Sequence, residues 1–260
     1  MISSLQRVAL VVAALAVVLA ACSESTQHAA SRVASPSSTD PRTAATGGEP
    51  VVPPRPRPRP ARAAIPAGPR ARVVFSVHTH EPVVFVTIDD GFVRDRRVLL
   101  FLAAYRWPIT TFIIGHVAQS APSYFRRLLA LGAAVEDHTW THPDLPTLTY
   151  SAQQSQICQP TRVFPTLLGV HPRLFRAPYG DYDDATRRAA TACGFDDLID
   201  WTATMTNGTL TVVGHRRLYA GDIILLHFTH SLYSDLQRLR TMIAAAHLHV
   251  ARLETYLAVS

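Results

Sequence analysis

The sequence predicts an α/β fold: a parallel sheet, open or closed into a barrel, with helices packed outside it. Three observations lead there. Beyond about residue 73, short runs rich in Val, Ile and Phe take turns with longer stretches whose apolar residues recur at helical spacing. Repeated β-α units of that kind give parallel strands covered by helices. Hydrophobic residues make up 48% of the 260-residue chain and charged residues 17%, which provides one substantial core and excludes a chain disordered throughout.

In chain order, residues 72–77 and 83–88 read as strands, because Val and Phe there alternate with polar residues or run together. Residues 94–105 carry apolar side chains at helical spacing. A β-branched and aromatic run at 109–114 is the next strand. Residues 123–131 form a helix closed by Gly132, followed by a short strand at 133–136. A helix is predicted over 151–168 and a strand end at 174–176. Residues 184–193 form a helix closed by Gly194, and 197–203 and 223–227 are strands. A long helix over 235–246 follows.

The front of the chain reads as an address and a tether. Arg7 and the apolar run over residues 9–21 make an export signal, too short to span a bilayer comfortably. It ends in Leu19-Ala20-Ala21-Cys22, which resembles a bacterial lipobox; an ordinary secretory signal with a chance cysteine is the plainer reading. The lipobox reading makes residues 1–21 a lipoprotein signal peptide and Cys22 the lipid-bearing N-terminus, with two acyl chains enough for stable anchoring. Residues 22–72 are then a linker rich in Ser, Thr, Ala and Pro. Its Pro53-Pro54-Arg55-Pro56-Arg57-Pro58-Arg59-Pro60 stretch is expected as stiff polyproline II. One domain remains, residues 73–260. Such a chain would be exported, held at the outer face of the cell membrane, and reach into the cell wall.

All 25 basic residues are Arg, so Schiff-base and phosphate-loop lysine chemistry is excluded. Residues 1–81 hold 9 Arg and 4 acids, and residues 82–260 hold 16 Arg and 15 acids, so the net charge of +6 divides into +5 and +1. Nucleic acid needs a basic footprint on the folded part and is not expected as a partner. A monomer is expected. With Cys22 assigned to lipid, Cys158 and Cys193 remain, in predicted helices flanking one strand. A disulfide and two buried thiols are both open.

Chemistry gathers at the strand ends, where parallel folds present it. The strand at 83–88 runs into Asp89-Asp90-Gly91. Two adjacent carboxylates after a buried strand are costly without a cation beside them, although a solvated loop with a helix cap is the plain alternative. His138 and His142 follow the strand at 133–136. On a helical turn, residues four apart face one way, as two ligands of one metal require, although taken alone a pair of surface histidines is an equal reading. With Asp90 they make a two-histidine, one-carboxylate set that leaves positions open for water and substrate. Arg176, at the next strand end, is placed to pair with a carboxylate and hold it ionised. Pro178 and Gly180 shape a turn that points a backbone N–H into the cleft. His227 ends the apolar run Ile223-Ile224-Leu225-Leu226, and taken alone it reads first as a satisfied core or rim histidine. The pair His78 and His80 reads as strand surface.

Taken in order, these segments resemble the polysaccharide deacetylase family, the NodB-homology domain of carbohydrate esterase family 4, over about residues 75–258. Asp89-Asp90-Gly91 is similar to its first motif, with Thr87-Ile88 where Thr/Ser-Phe is usual. His138-Thr139-Trp140-Thr141-His142-Pro143 is similar to the second, Arg176-Ala177-Pro178-Tyr179-Gly180 to the third, and Leu225-Leu226-His227 to the fifth. The fourth motif, Asp-x-x-Asp-Trp, is expected past the next strand, on Ala203-Thr204-Met205-Thr206-Asn207, where its carboxylates and Trp are missing. The matching string Asp197-Leu198-Ile199-Asp200-Trp201 is read as coincidence. On that reading His227 loses its support, and Asp222 is the substitute considered.

The resemblance implies an irregular (β/α) barrel and a hydrolase of carbon–nitrogen bonds other than peptide bonds. It would remove N-acetyl, or O-acetyl, groups from a cell-wall or related polysaccharide. Asp90, His138 and His142 would hold a divalent metal, Zn2+ first, with Co2+ or Ni2+ as substitutes. Asp89 would be the base for the attacking water, held ionised by Arg176. The backbone N–H of Tyr179 would meet the oxyanion, and His227 would protonate the leaving amine. The anchor and spacer favour peptidoglycan, with chitin-type oligomers and acetylated xylan open. Trp140 and Trp201 are assigned to packing ahead of sugar stacking. The altered fourth motif also admits a lipoprotein that binds glycan and keeps the metal site without turnover.

Overall fold

The computed structural model describes residues 66–257. The expected export signal, Cys22 and most of the expected linker therefore lie outside the described residues. The first strand opens at Arg72, where the strand pattern over 72–77 begins, although the expected linker extends through that residue. Ala71, just ahead of it, is buried and donates its N–H to Arg187 O.

The elements in order are β1 (Arg72–Val74), β2 (Val83–Asp90), α1 (Arg96–Tyr105), β3 (Thr110–Ile113), α2 (Gly115–Ser120), α3 (Pro122–Ala130), β4 (Ala134–Asp137), α4 (Tyr150–Leu168), α5 (Asp184–Ala192), β5 (Asp197–Ile199), β6 (Ala203–Thr206), β7 (Thr209–Val212), β8 (Ile223–His227), α6 (Leu232–Ala245), β9 (His249–Val250) and α7 (Leu253–Leu257). The main sheet has the order β4-β3-β2-β8-β6-β7, with β9 beside the start of β2. Every pair in it is parallel except the β6–β7 hairpin. β1 and β5 form a second parallel pair. Phe175 bridges β4 at Asp137 to β5 at Leu198, and Ser76 bridges to Asp222 just ahead of β8, so the two sheets join into an irregular ring.

Side-chain alternation along β2 divides the core. Val84, Val86 and Ile88 pack outward with residues of α1, α3 and α6. Phe85 points the other way, into an interior cluster with Phe112, Leu174, Ile199 and Ile223. A third cluster joins Phe175 and Leu198 to α4 and α5 through Ile157, Ala189 and Ala190. β2 is apolar on both faces because both are buried, as a central parallel strand requires. Helix ends follow local chemistry. Asp95 caps α1, Thr149 caps α4, and Asp183 with Thr186 forms a capping box on α5.

Three expectations need correction. The strand expected over 197–203 is two strands, β5 and β6, because the chain bends at Asp200-Trp201-Thr202. The strand end at 174–176 is a single bridge at Phe175. His78 and His80 lie in an exposed irregular segment beyond β1, not on a strand. Cys158 and Cys193 form a disulfide, Cα–Cα 5.0 Å, which joins α4 to the end of α5. Among the described residues, no helix is long and apolar enough to cross a membrane.

Candidate metal centre and active site

Strand register assembles the site. Asp89 is the register partner of His227 on β8, Asp90 of Ile113 on β3, and Ile113 of Asp137 on β4; Asp137 in turn bridges Phe175. The residues that follow each strand therefore meet at one rim. Asp90 has φ +82 and turns its carboxylate off the strand.

Three ligand atoms converge there. His138 Nε2 lies 3.6 Å from Asp90 Oδ1 and His142 Nε2 lies 3.4 Å from the same oxygen. One ligand atom from each of the three residues falls within 4.8 Å of the others. Two ligands of a tetrahedral zinc at its usual bond lengths stand about 3.3 Å apart, so the spacing fits an ion between them. The donor chemistry fits as well. His138 Nδ1 sits 2.9 Å from Arg176 O and can only donate to a carbonyl, which leaves Nε2 as a lone pair facing Asp90. Burial pushes the His138 pKa down to about 4 and lowers that of His142, so both rings are neutral at pH 7, as ligands must be. Asp90 Oδ1 is buried without a hydrogen-bond donor, and burial, with the Asp89 charge second, raises its pKa to about 6. A carboxylate oxygen without a donor, facing the His138 lone pair and lying 3.4 Å from His142 Nε2, is an unfavourable arrangement that a cation resolves.

The ligand loop departs from expectation. His138 and His142 do not share a helical turn. They flank an irregular loop with φ +64 at Thr139 and +61 at His142, shaped by Asp137 Oδ1 accepting from Thr139 N and Thr139 Oγ1 accepting from His142 N. Trp140 packs flat against Gly115, where any Cβ would run into the indole.

Arg176 organises the floor. It is 0% exposed, under an Asp89 that is 2% exposed. Its Nη1 donates to Asp89 Oδ1 and to Thr87 Oγ1, both at 2.8 Å. Its Nε donates to Ile199 O and its Nη2 to Asp200 O, both at 3.1 Å. The guanidinium lies 4.2 Å from the Phe112 ring centre. Tyr179 has φ +62 and is 69% exposed, with its ring edge-on to His142 at 4.6 Å. His227 is half-buried at the tip of β8.

Here the reading of the fourth motif is overturned. Asp200 and Trp201 follow β5 directly into the site. Asp200 O holds Arg176, its carboxylate is buried beside Arg176 and Asp89, and Trp201 packs on Gly180 and 5.6 Å from the guanidinium. Residues 203–207 instead make β6 and its turn. The strand after α5 ends at Ile199, earlier than the spacing argument assumed, so the string at 197–201 reaches the floor of the site beside Arg176, without a hydrogen bond to His227. Asp222 does not support His227. It sits at the opposite end of β8, about 16 Å along the strand, accepting from Thr202 Oγ1 and Tyr219 N. Among the described residues no hydrogen bond reaches the His227 ring. Sequence reasoning also passed over Thr87 as a partner of Arg176.

The sequence pattern described as Polysaccharide deacetylase matches residues 76–198. A chitooligosaccharide deacetylase of Sinorhizobium fredii is 33% identical over 165 residues, covering 60% of this chain and 76% of the relative. The chain belongs to the polysaccharide deacetylase family. An uncharacterized protein of Streptomyces coelicolor is 38% identical over 191 residues, covering 71% of this chain and 77% of its own length. In fold, this polysaccharide deacetylase domain is similar to a carbohydrate esterase family 4 pseudoenzyme from Bacillus anthracis, with a TM-score of 0.64, 19% identity, and 72% and 69% of the two chains covered. That likeness speaks for the fold alone. Polysaccharide deacetylases of this family use a divalent metal, and the Asp90, His138 and His142 cluster offers it a place.

Proposed function

We propose that this chain removes N-acetyl groups from an amino-sugar polysaccharide of the cell wall, with a divalent metal, Zn2+ in the first instance, held by Asp90, His138 and His142. The observation that carries the reading is the register match of Asp89 with His227 beside that three-ligand cluster. It sets one carboxylate and one imidazole next to the place where an acetyl group would sit.

When bound, the ion supplies Lewis acidity for the acetyl carbonyl and for water. The chain's own residues do the rest. Asp89 takes the proton of the attacking water. Arg176, hydrogen-bonded to Asp89 Oδ1, keeps that carboxylate oriented and leaves Oδ2 facing the cluster, 3.8 Å from His138 Nε2. The Tyr179 backbone N–H, turned by its positive φ, meets the developing oxyanion; one such donor is worth about 3–4 kcal/mol. His227 gives a proton to the leaving amine, a role that typically contributes about 10²–10⁴-fold. The products are acetate and a free amino sugar. Asp200 and Trp201 lie against Arg176 and support the reading with turnover, while a glycan-binding protein that keeps the metal site without turnover is the second reading, because no hydrogen bond among the described residues supports the His227 ring.

The lipobox-like Cys22 and the proline-rich spacer support placement at the outer membrane face, within reach of peptidoglycan. The test is acetate release by the purified full chain loaded with Zn2+, on peptidoglycan and on chitooligosaccharides, against Asp89→Asn. Release by the parent and none by the variant is expected. No release from either glycan by a zinc-loaded, folded protein would refute the proposal.

A further inference from the structure

Helix α4 carries Pro160 and Pro165 in its interior. An in-helix proline withholds one N–H from the carbonyl four residues earlier and costs about 3 kcal/mol. For Pro160 that carbonyl belongs to Gln156. The Gln156 carbonyl is nevertheless satisfied, from outside the helix: Trp140 N donates to it at 3.0 Å. Trp140 lies midway between the two histidine ligands. The next N–H of the loop, that of Thr141, donates to the Gln156 side chain, Oε1, at 2.9 Å.

The same loop is held from its other side by α2. Gly115 N donates to Thr139 O at 2.9 Å, and His116 donates to Trp140 O through its backbone N at 3.1 Å and through Nδ1 at 2.8 Å. The carbonyls of Thr139 and Trp140 thus go to α2, and the N–H groups of Trp140 and Thr141 go to α4. This matters because Thr139 and His142 both have positive φ, and such non-glycine residues cost of order 1–3 kcal/mol each unless their surroundings fix them. α4 is a firm support, tied to α5 by the Cys158–Cys193 disulfide two residues beyond Gln156.

We propose that Pro160 is a positioning residue for the metal-ligand loop: by withholding a helical N–H, it reserves the Gln156 carbonyl for Trp140 and so fixes His138 and His142. The inference rests on the reading of those histidines as metal ligands. Pro165 is an internal control. It frees the carbonyl of Thr161, to which no loop N–H donates among the described residues.

The experiment compares the full chain with its Pro160→Ala, Pro165→Ala and Gln156→Ala variants. Zinc affinity is read by competition with a chromophoric chelator, and exchange of the Trp140 amide is read by NMR or mass spectrometry on the metal-free protein. In Pro160→Ala a new N–H at 160 competes for the Gln156 carbonyl. Its zinc affinity should fall about 10–100-fold, the usual range for groups that orient ligands, and the Trp140 amide should exchange faster. Gln156→Ala, which loses the Thr141 acceptor, should also weaken zinc binding, and it stands in if Pro160→Ala does not fold. Pro165→Ala should stay within about twofold of the parent. Unchanged affinity and exchange in Pro160→Ala, or equal losses in the Pro160 and Pro165 variants, would overturn the proposal. A parent that binds no zinc while its Trp140 amide still responds to Pro160→Ala would instead refute the metal reading and leave the loop contact standing.

Discussion

Arg176 and Asp89 offer the sharpest energetic test of the site. Replacing Arg176 by Met keeps much of its length but leaves Asp89 as a buried carboxylate facing no cation. Removing one partner of a buried ion pair typically costs about 3–5 kcal/mol. The geometry puts this pair in that class: both side chains are almost wholly buried, and the contact is 2.8 Å. Met also strands the carbonyls of Ile199 and Asp200 and the Thr87 hydroxyl, which Arg176 now satisfies. Those losses recur whether residue 89 is Asp or Asn. A double-mutant cycle with Asp89→Asn therefore isolates the charge pair. We expect Arg176→Met to lower unfolding free energy by about 4 kcal/mol in the parent, and by about 2 kcal/mol less when Asp89→Asn is already in place, because a stranded amide costs less than a stranded carboxylate. The assay is urea unfolding at pH 7 with chelator present, so that no metal substitutes for the missing cation. Additivity within about 0.5 kcal/mol would refute the assignment of Asp89 as the anion that Arg176 holds.

Other expectations concern the supports of the site. Opening the disulfide with Cys158→Ser and Cys193→Ser releases a loop of 35 residues, worth about 4 kcal/mol of chain entropy, and should lower Tm by about 10 °C in a calorimetric scan. Thr87→Val removes the hydroxyl that accepts from Arg176 and donates to Ile224 O while keeping the shape, whereas Thr87→Ser keeps the hydroxyl. Acetate-release rates should fall about tenfold in the first, the effect of roughly 1–1.5 kcal/mol, and stay near the parent in the second. Burial raises the Asp200 pKa from 3.8 to about 6. Its contribution to stability is thus full below about pH 4 and fades as pH rises through 6. Asp200→Asn should flatten that part of the pH–stability curve, and an unchanged curve in urea titrations at pH 4 to 7 would count against it.

Much of the architecture could be read from β-branched runs. β2 and β8 are long, apolar and central, so nothing competes with their strand pattern, and each delivers its functional residue at the tip. Short elements were harder. α2 has six residues and no side-chain cap, and it exists because Gly115 admits the Trp140 ring, a tertiary contact invisible in local sequence. The β6–β7 hairpin did leave a signal: Asn207-Gly208, both at positive φ, is the pairing a tight hairpin turn prefers. Asp200 and Trp201 were visible as a string but misassigned, because a residue count was given more weight than the end of the strand. The Asp90–His142 cluster was legible as chemistry, while the loop that presents it was not. Its shape comes from Asp137, Gln156 and the start of α2, which lie before and after it in the chain.

The pairing of Asp89 with His227 reaches beyond the chemical step. Neighbouring ladder residues, with Phe228 N also bonded to Asp89 O, cannot drift apart without tearing the centre of the sheet. The proposed proton acceptor, Asp89, and the proposed proton donor, His227, are in effect cast in a single piece. Surface loops around the mouth are then free to be rebuilt for a new sugar chain, because no remodelling there alters the spacing between the two.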